Sequence, residues 1–334
     1  MIYRLLNIAI ALIACCAIQA QDIHFSQFYF APALYNPSLT GAFNGDYRFQ
    51  GNQRTQWRSV TTPYSTFGLA ADGRRIINDN MHAGVSFFTD KAGDSKLSTT
   101  TFNISGAYEK LVQNRSFFTA GVMIGVTRQN IDYSELNFDT QWTGTFFNPK
   151  LSTNEAFAQD AQTWMNLSLG GTFFHQLDND IQLKAGIAAH NLLAPDQSYF
   201  SIEDVQLNPR VSFQGHCTSP KINDAWIIEG NLLYQIQGTF NEFLIGGMAK
   251  NVLEDSGGLY RTIFAGVYGR TRDAGYILAG MDYDNLRVGI SYDINVSNLR
   301  PASNARGGFE FSVHYILRKF RPYKVEGNKC PEYL

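Results

Sequence analysis

Six histidines stand at 24, 82, 175, 190, 216 and 314, and histidine is the side chain best suited to metal or acid–base chemistry near neutral pH. No two are at metal-ligand spacing, and no cysteine or carboxylate cluster lies beside any of them, so no metal site is expected. No Gly-x-Ser-x-Gly elbow, P-loop or paired-glycine phosphate motif occurs. The Gly-Gly pairs beginning at 170, 246, 257 and 307 read instead as strand kinks, tight packing or turns. A Ser, His and Asp set gathered from distant strands stays open, because sequence spacing does not exclude it. The expectation is a chain with no catalytic residue, no cofactor and no metal, whose His190, His216 and His314 alternate with apolar neighbours as polar residues facing a lumen.

The elements that hold these residues have a period of two. Met81, Ala83, Val85 and Phe87 alternate with His82, Gly84 and Ser86, the pattern of a strand with one apolar face. The same alternation returns in Phe118, Ala120, Val122, Ile124 and Val126, in Leu286, Val288, Ile290, Tyr292 and Ile294, and in Phe309, Phe311, Val313 and Tyr315. No segment carries a convincing helical stripe. Strands are expected at 47–57, 62–73, 81–89, 97–111, 115–129, 163–174, 180–190, 208–218, 224–236, 240–250, 260–270, 274–283, 286–296 and 308–318. Fourteen is even, and strands of about 10 residues suit a closed bacterial barrel, since an open edge in lipid leaves backbone groups unsatisfied. If the chain starts inside, the long connections 130–162, 191–207 and 297–307 fall on the outer side and the short ones 112–114, 175–179, 219–223 and 284–285 on the inner. Two fit poorly: 251–259 is long for an inner turn, and Gln237-Gly238-Thr239 is short for an outer loop. The fold expected is all-β, a transmembrane antiparallel barrel of about 14 strands with both termini periplasmic. A soluble sandwich is the rival, but it has no need of the 25 Phe and 17 Tyr that suit interface girdles.

The first twenty residues carry one charge, Arg4, then an apolar run from Leu5 to Ile18 broken by Asn7, and end in the small Ala20. That is the form of a secretory signal, too short for a membrane anchor. The run Leu12-Ile13-Ala14-Cys15 also has the form of a lipoprotein box; cleavage after Ala20 is the expected outcome, with no lipid. The mature chain then keeps Cys217 and Cys330, which make no disulfide framework. Without Arg4 it has 26 basic and 29 acidic side chains, a net charge of −3, and nothing in that balance attracts nucleic acid. Mean hydropathy is −0.19, which does not speak against a barrel, because every second strand residue faces a lumen or water.

Segment 22–46 precedes the first strand and holds Phe25, Phe28, Tyr29, Phe30 and Phe43, too many aromatics for a free tail. It is expected to plug or brace the inner mouth. Asp90-Lys91-Ala92-Gly93-Asp94 reads as an outer turn in which Gly93 takes a positive φ and the charges stay wet. Arg54, Trp57 and Arg58 close the first strand on the outer side, where Trp suits an interface belt. Trp142, Phe146 and Phe147 in the longest outer loop are candidate partner contacts, or else pack over the barrel mouth. The tail carries Arg318, Lys319, Arg321, Lys324 and Lys329 against Glu326 and Glu332, a basic end that docks an acidic partner or is simply solvated.

Beyond the barrel pattern, particular words are specific. Gln21-Asp22-Ile23-His24-Phe25-Ser26-Gln27-Phe28 followed by Asn36-Pro37 resembles the opening of the PorP/SprF family of type IX secretion membrane proteins. The likeness continues in Arg54-Thr55-Gln56-Trp57, in Thr89-Asp90-Lys91-Ala92-Gly93-Asp94, in Ser291-Tyr292-Asp293 and in Cys330-Pro331. It departs at Glu332-Tyr333, where a basic residue and Phe are expected, and in the extra sequence of loop 130–162. The resemblance implies an outer-membrane barrel serving type IX secretion or gliding motility, with secretion machinery or an exported cargo protein as partners. The division that follows is a signal peptide at 1–20, a periplasmic segment at 21–46, the barrel at 47–318 and a periplasmic tail at 319–334. The alternative function is a passive porin or transporter for small solutes.

Overall fold

The computed structural model describes residues 24–318 apart from 57, 59–61, 94–95, 134–135, 137, 154–158, 200–204, 257–258, 272 and 297–305. The signal segment with Cys15, Trp57, and the tail residues Lys319, Arg321, Lys324, Cys330 and Pro331 lie outside the described residues.

Fourteen strands form one closed antiparallel barrel in which each pairs with its chain neighbours and the last returns to the first. They are β1 (Tyr47–Gln56), β2 (Tyr64–Gly73), β3 (Met81–Ala92), β4 (Leu97–Gln113), β5 (Ser116–Asn130), β6 (Ala161–Gln176) and β7 (Gln182–His190). Then come β8 (Arg210–Thr218), β9 (Trp226–Gln237), β10 (Phe240–Ser256), β11 (Leu259–Arg270), β12 (Ala274–Tyr283), β13 (Leu286–Asn295) and β14 (Arg306–Leu317). The seam pairs β1 with β14 from Tyr47↔Leu317 to Thr55↔Phe309. Closure gives each strand a neighbour on both sides, the condition a sheet must meet in hydrocarbon.

The alternation that marks the strands also sorts their faces. Val85, Phe102, Ile124, Ile187, Ile290 and Phe311 point outward and are exposed, while His82, Ser86, Asn103, Ser212, Glu310 and Ser312 point inward and are buried. An apolar exterior with a polar interior is the reverse of a soluble protein, and it is what lipid selects.

Both poorly fitting connections have local explanations. β10 continues to Ser256 through a register shift between Val252 and Glu254, and β11 begins at Leu259, so the strands take up most of that connection. At the other end β9 and β10 meet in a tight hairpin with Gly238 at φ 57°, so no loop is needed. The Asp90 segment also differs from expectation. β3 runs on to Ala92, so Asp90 sits in the strand and accepts a hydrogen bond from Thr66; the turn begins only at Gly93, whose φ is 66°.

Candidate functional site

The bore is filled by the chain itself. The described part of the segment before β1 folds into three short turns, Phe28–Phe30, Pro32–Tyr35 and Pro37–Leu39, and its Phe25, Phe28, Phe30 and Tyr35 are buried against inward residues of the wall such as Phe88, Leu233, Tyr268 and Tyr276. It lies deeper than a brace at the mouth. His24 is near the long-loop end and residue 46 at the short-turn end, so the segment runs the length of the lumen. The physical reason is apolar area: the aromatic side chains bury themselves only inside the bore, because the wall turns its own apolar face to lipid.

Three polar latches hold it. Toward the long-loop end the Glu310 carboxylate accepts the successive main-chain N–H groups of Ser26 at 2.7 Å and Gln27 at 3.0 Å. Ser26 Oγ donates to Asp293 at 2.8 Å, Tyr276 Oη donates to Ser26 C=O at 2.6 Å, and Arg54 donates to His24 C=O at 2.7 Å. Arg54 and Arg270 both reach Asp293, at 2.8 and 3.1 Å, so each buried carboxylate faces a guanidinium. Midway, Asn36 Nδ2 donates to Gly171 C=O, Thr172 Oγ1 and Ile187 C=O, all at 3.3 Å, while its Oδ1 accepts from Ser38 N–H at 3.0 Å. Near the short-turn end Asp72 joins Gly41 N–H at 2.7 Å to Arg48 at 2.7 Å.

Between these latches, carbonyls of the segment accept from the wall. His190 Nε2 and Ser212 Oγ donate to Tyr35 C=O at 3.0 and 2.7 Å, and His314 Nε2 donates to Phe30 C=O at 2.7 Å. Glycines make room: a Cβ on Gly121 would lie 2.3 Å from Ser38 N, and one on Gly170 would lie 2.0 Å from Asn36 Oδ1. The segment stands between a cavity of about 430 Å³ at the short-turn end and one of about 120 Å³ toward the long loops.

A second feature lies in the longest loop. Trp142 and Phe147 pair as a bridge, Thr143 N–H donates to Phe146 C=O at 3.0 Å, and Gly144 takes φ 93°, so residues 142–147 form a small ordered hairpin. Its base is tied by Gln141, which is buried and donates to Pro149 and Leu151 carbonyls. Trp142 is 56% exposed and Phe146 59%.

The structure gathers Ser26, Gln27, Arg54 and Asp293 into one latch and sets Phe25, Phe28, Asn36 and Pro37 along the same segment. It does not gather the rest. Tyr292 faces outward, Gln56 ends β1, Lys91 is exposed, and Asp90 lines the smaller cavity. Arg318 lies at the short-turn end, donating to Asn44 C=O at 3.5 Å, opposite the aromatic hairpin. Glu310, Asp72, Arg270 and Gly121 hold or seat the segment and are missed by motif reading. Their signal is a charge or a glycine at the inward register of an apolar strand, as with Glu310 between Phe309 and Phe311. Among the described residues no group of three or more His, Cys, Asp or Glu could hold a metal ion.

The sequence matches the family described as type IX secretion system membrane protein PorP/SprF over residues 17–315. The chain belongs to the PorP/SprF family. It is an outer-membrane, multi-pass β-barrel associated with type IX secretion. A search of curated proteins finds no match. Among solved structures this PorP/SprF chain is similar to the Pseudomonas putida toluene transporter TodX, with a TM-score of 0.50 at 10% identity over 88% of this chain and 94% of that one. It is also similar to a Pseudomonas aeruginosa FadL homologue, with a TM-score of 0.47 at 10% identity over 85% and 93% of the two chains. A third likeness is to CdiB from Acinetobacter baumannii, with a TM-score of 0.41 at 8% identity over 81% of this chain; there the chain spans 60% of the other's length. At these identities the likeness concerns the fold alone.

Proposed function

We propose that this PorP/SprF protein is a non-enzymatic accessory of type IX secretion that binds protein partners at its two ends, holding an exported protein at the long-loop end and meeting the secretion machinery at the other. The observation that carries this reading is the occupied bore: a lumen latched along its length by its own N-terminal segment suits an anchor and not a solute channel. Orientation follows the barrel rule that long loops face the exterior, which puts the hairpin with Trp142, Phe146 and Phe147 at the surface and the basic run Arg318, Lys319, Arg321 and Lys324 in the periplasm. Exposed, rigid aromatics are the residues from which protein interfaces draw most of their energy.

The test has two arms. In planar lipid the purified barrel is expected to show no steady large openings; such openings would favour the porin reading. In cells, replacing Trp142, Phe146 and Phe147 together by Ala is expected to leave the barrel inserted and release the exported protein to the medium. Unchanged surface retention would overturn the assignment.

A further inference from the structure

β6 is taller than the strand beside it. Its ladder with β5 is continuous from Ser116↔His175 to Asn130↔Ala161, whereas its ladder with β7 stops at Leu169↔Ala189. Beyond that point, among the described residues, the loop after β7 sends one main-chain bond to it, from Leu192 N–H to Leu167 C=O at 3.0 Å. Parity then decides which groups are left over. Asp160 C=O accepts from Ile131 N–H on the β5 side, and Leu167 C=O accepts on the opposite side. With no register shift in the β5–β6 ladder, the odd-numbered Ala161, Thr163 and Met165 turn both N–H and C=O away from β5.

This edge lies where a partner can reach it. The outward row Phe102, Val126, Met165 is apolar, and the next row out, Thr100, Arg128, Thr163, is polar, so Met165 stands at the border of the hydrocarbon with Thr163 and Ala161 on its water side. An unpaired edge is tolerated in water and not in lipid. Just inside the wall, the smaller cavity is lined by Trp164 and Asn166, whose Nε1 and Oδ1 have no hydrogen-bond partner. Leu192 and Leu193 stand exposed beside the edge, and the aromatic hairpin rises from the connection that leads into β6.

We propose that the upper edge of β6, from Ala161 to Met165, receives an extended strand of the exported protein, paired main chain to main chain. The occupant is an extended chain because only that form offers N–H and C=O groups at the spacing of the free ones; a helix has spent its own. Pairing sets the guest's alternation: polar side chains inward toward Trp164 Nε1 and Asn166 Oδ1, apolar ones outward beside Met165 and Leu192. The proposal rests on the reading that this end captures an exported protein, and names how.

Thr163→Pro removes an N–H that points to the open side and stiffens the backbone there, whereas Thr163→Val keeps the N–H. In cells the proline variant is expected to lower surface retention by about tenfold, the scale of one or two lost main-chain hydrogen bonds, and the valine variant to leave it unchanged. Retention kept by Thr163→Pro but lost on truncating the aromatic hairpin would overturn strand addition and spare the capture reading; retention kept by both would sink the capture reading itself. Because Thr163→Pro can fail to insert, a second measurement uses the wild-type, full-length barrel with an alternating threonine–valine octapeptide. Amide exchange at Thr163 and Met165 should slow with the peptide and not with its form N-methylated at every second amide. No slowing, or protection already present through dimerisation without peptide, would overturn the proposal.

Discussion

Glu310 shows how one inward residue fixes a whole segment. Its carboxylate is the acceptor for two consecutive N–H groups and lies 3.8 Å from Arg54 Nε, so its removal leaves two buried donors without an acceptor while Arg54 keeps Asp293. Glu310→Ala is expected to cost the latch about 1–3 kcal/mol for each donor left without an acceptor. The measurable result is faster amide exchange at Ser26 and Gln27 in a barrel that still migrates as a folded, heat-modifiable band. Unchanged exchange there would show that the aromatic packing alone holds the segment. Gly121 makes the complementary point by size. Valine at 121 has no room beside Ser38, so Gly121→Val should expel the turn Pro37–Leu39 and expose Asn36 to solvent exchange, without disturbing β5, where valine is a favoured residue.

The N-terminal segment and the 142–147 hairpin are both irregular elements, yet opposite physics orders them. The segment is ordered by burial of its aromatics; the hairpin is ordered by a tied base and leaves its aromatics in water. Deleting residues 22–40 should therefore leave the ladder intact and join the two cavities into a continuous polar bore. Steady conductance in planar lipid is the expected outcome, against a closed full-length chain; a silent deletion variant would mean that the wall collapses inward or that other loops seal it. Loop 130–162 should be cut by protease added to intact cells, because Trp142 and Phe146 are exposed in it. Resistance in cells without the exported protein would argue that the loop folds back over the mouth.

At the scale of the molecule, the seam sets what can be removed. β1 and β14 pair up to Tyr47↔Leu317, and Asp46 N–H donates to Leu317 C=O at 2.9 Å, so closure is complete before the tail begins. Truncation after Lys319 is expected to give an inserted, heat-modifiable barrel with reduced secretion or surface attachment. Failure to insert would assign the tail to assembly, and secretion at the wild-type level would leave it without a role. The aromatic hairpin and Arg318 lie at opposite ends of a filled bore.

The period-two pattern determined the strands because each one meets lipid on one face and a polar lumen on the other, so every second residue reports the environment directly. Fourteen strands, their ends within a few residues, and the sides on which long and short connections fall were legible in that way. β10 was read short because a bulge between Val252 and Glu254 breaks the alternation without ending the strand. The segment's aromatics announced burial but not its place. That Phe25 to Leu39 lie within the bore, that Arg54 and Asp293 meet although 239 positions apart, and that Gly121 and Gly170 are seats for Ser38 and Asn36 were decided only by closure of the barrel. Contacts across a lumen join residues whose separation in sequence carries no periodic signal, and the charge on an inward residue does not say which partner neutralises it.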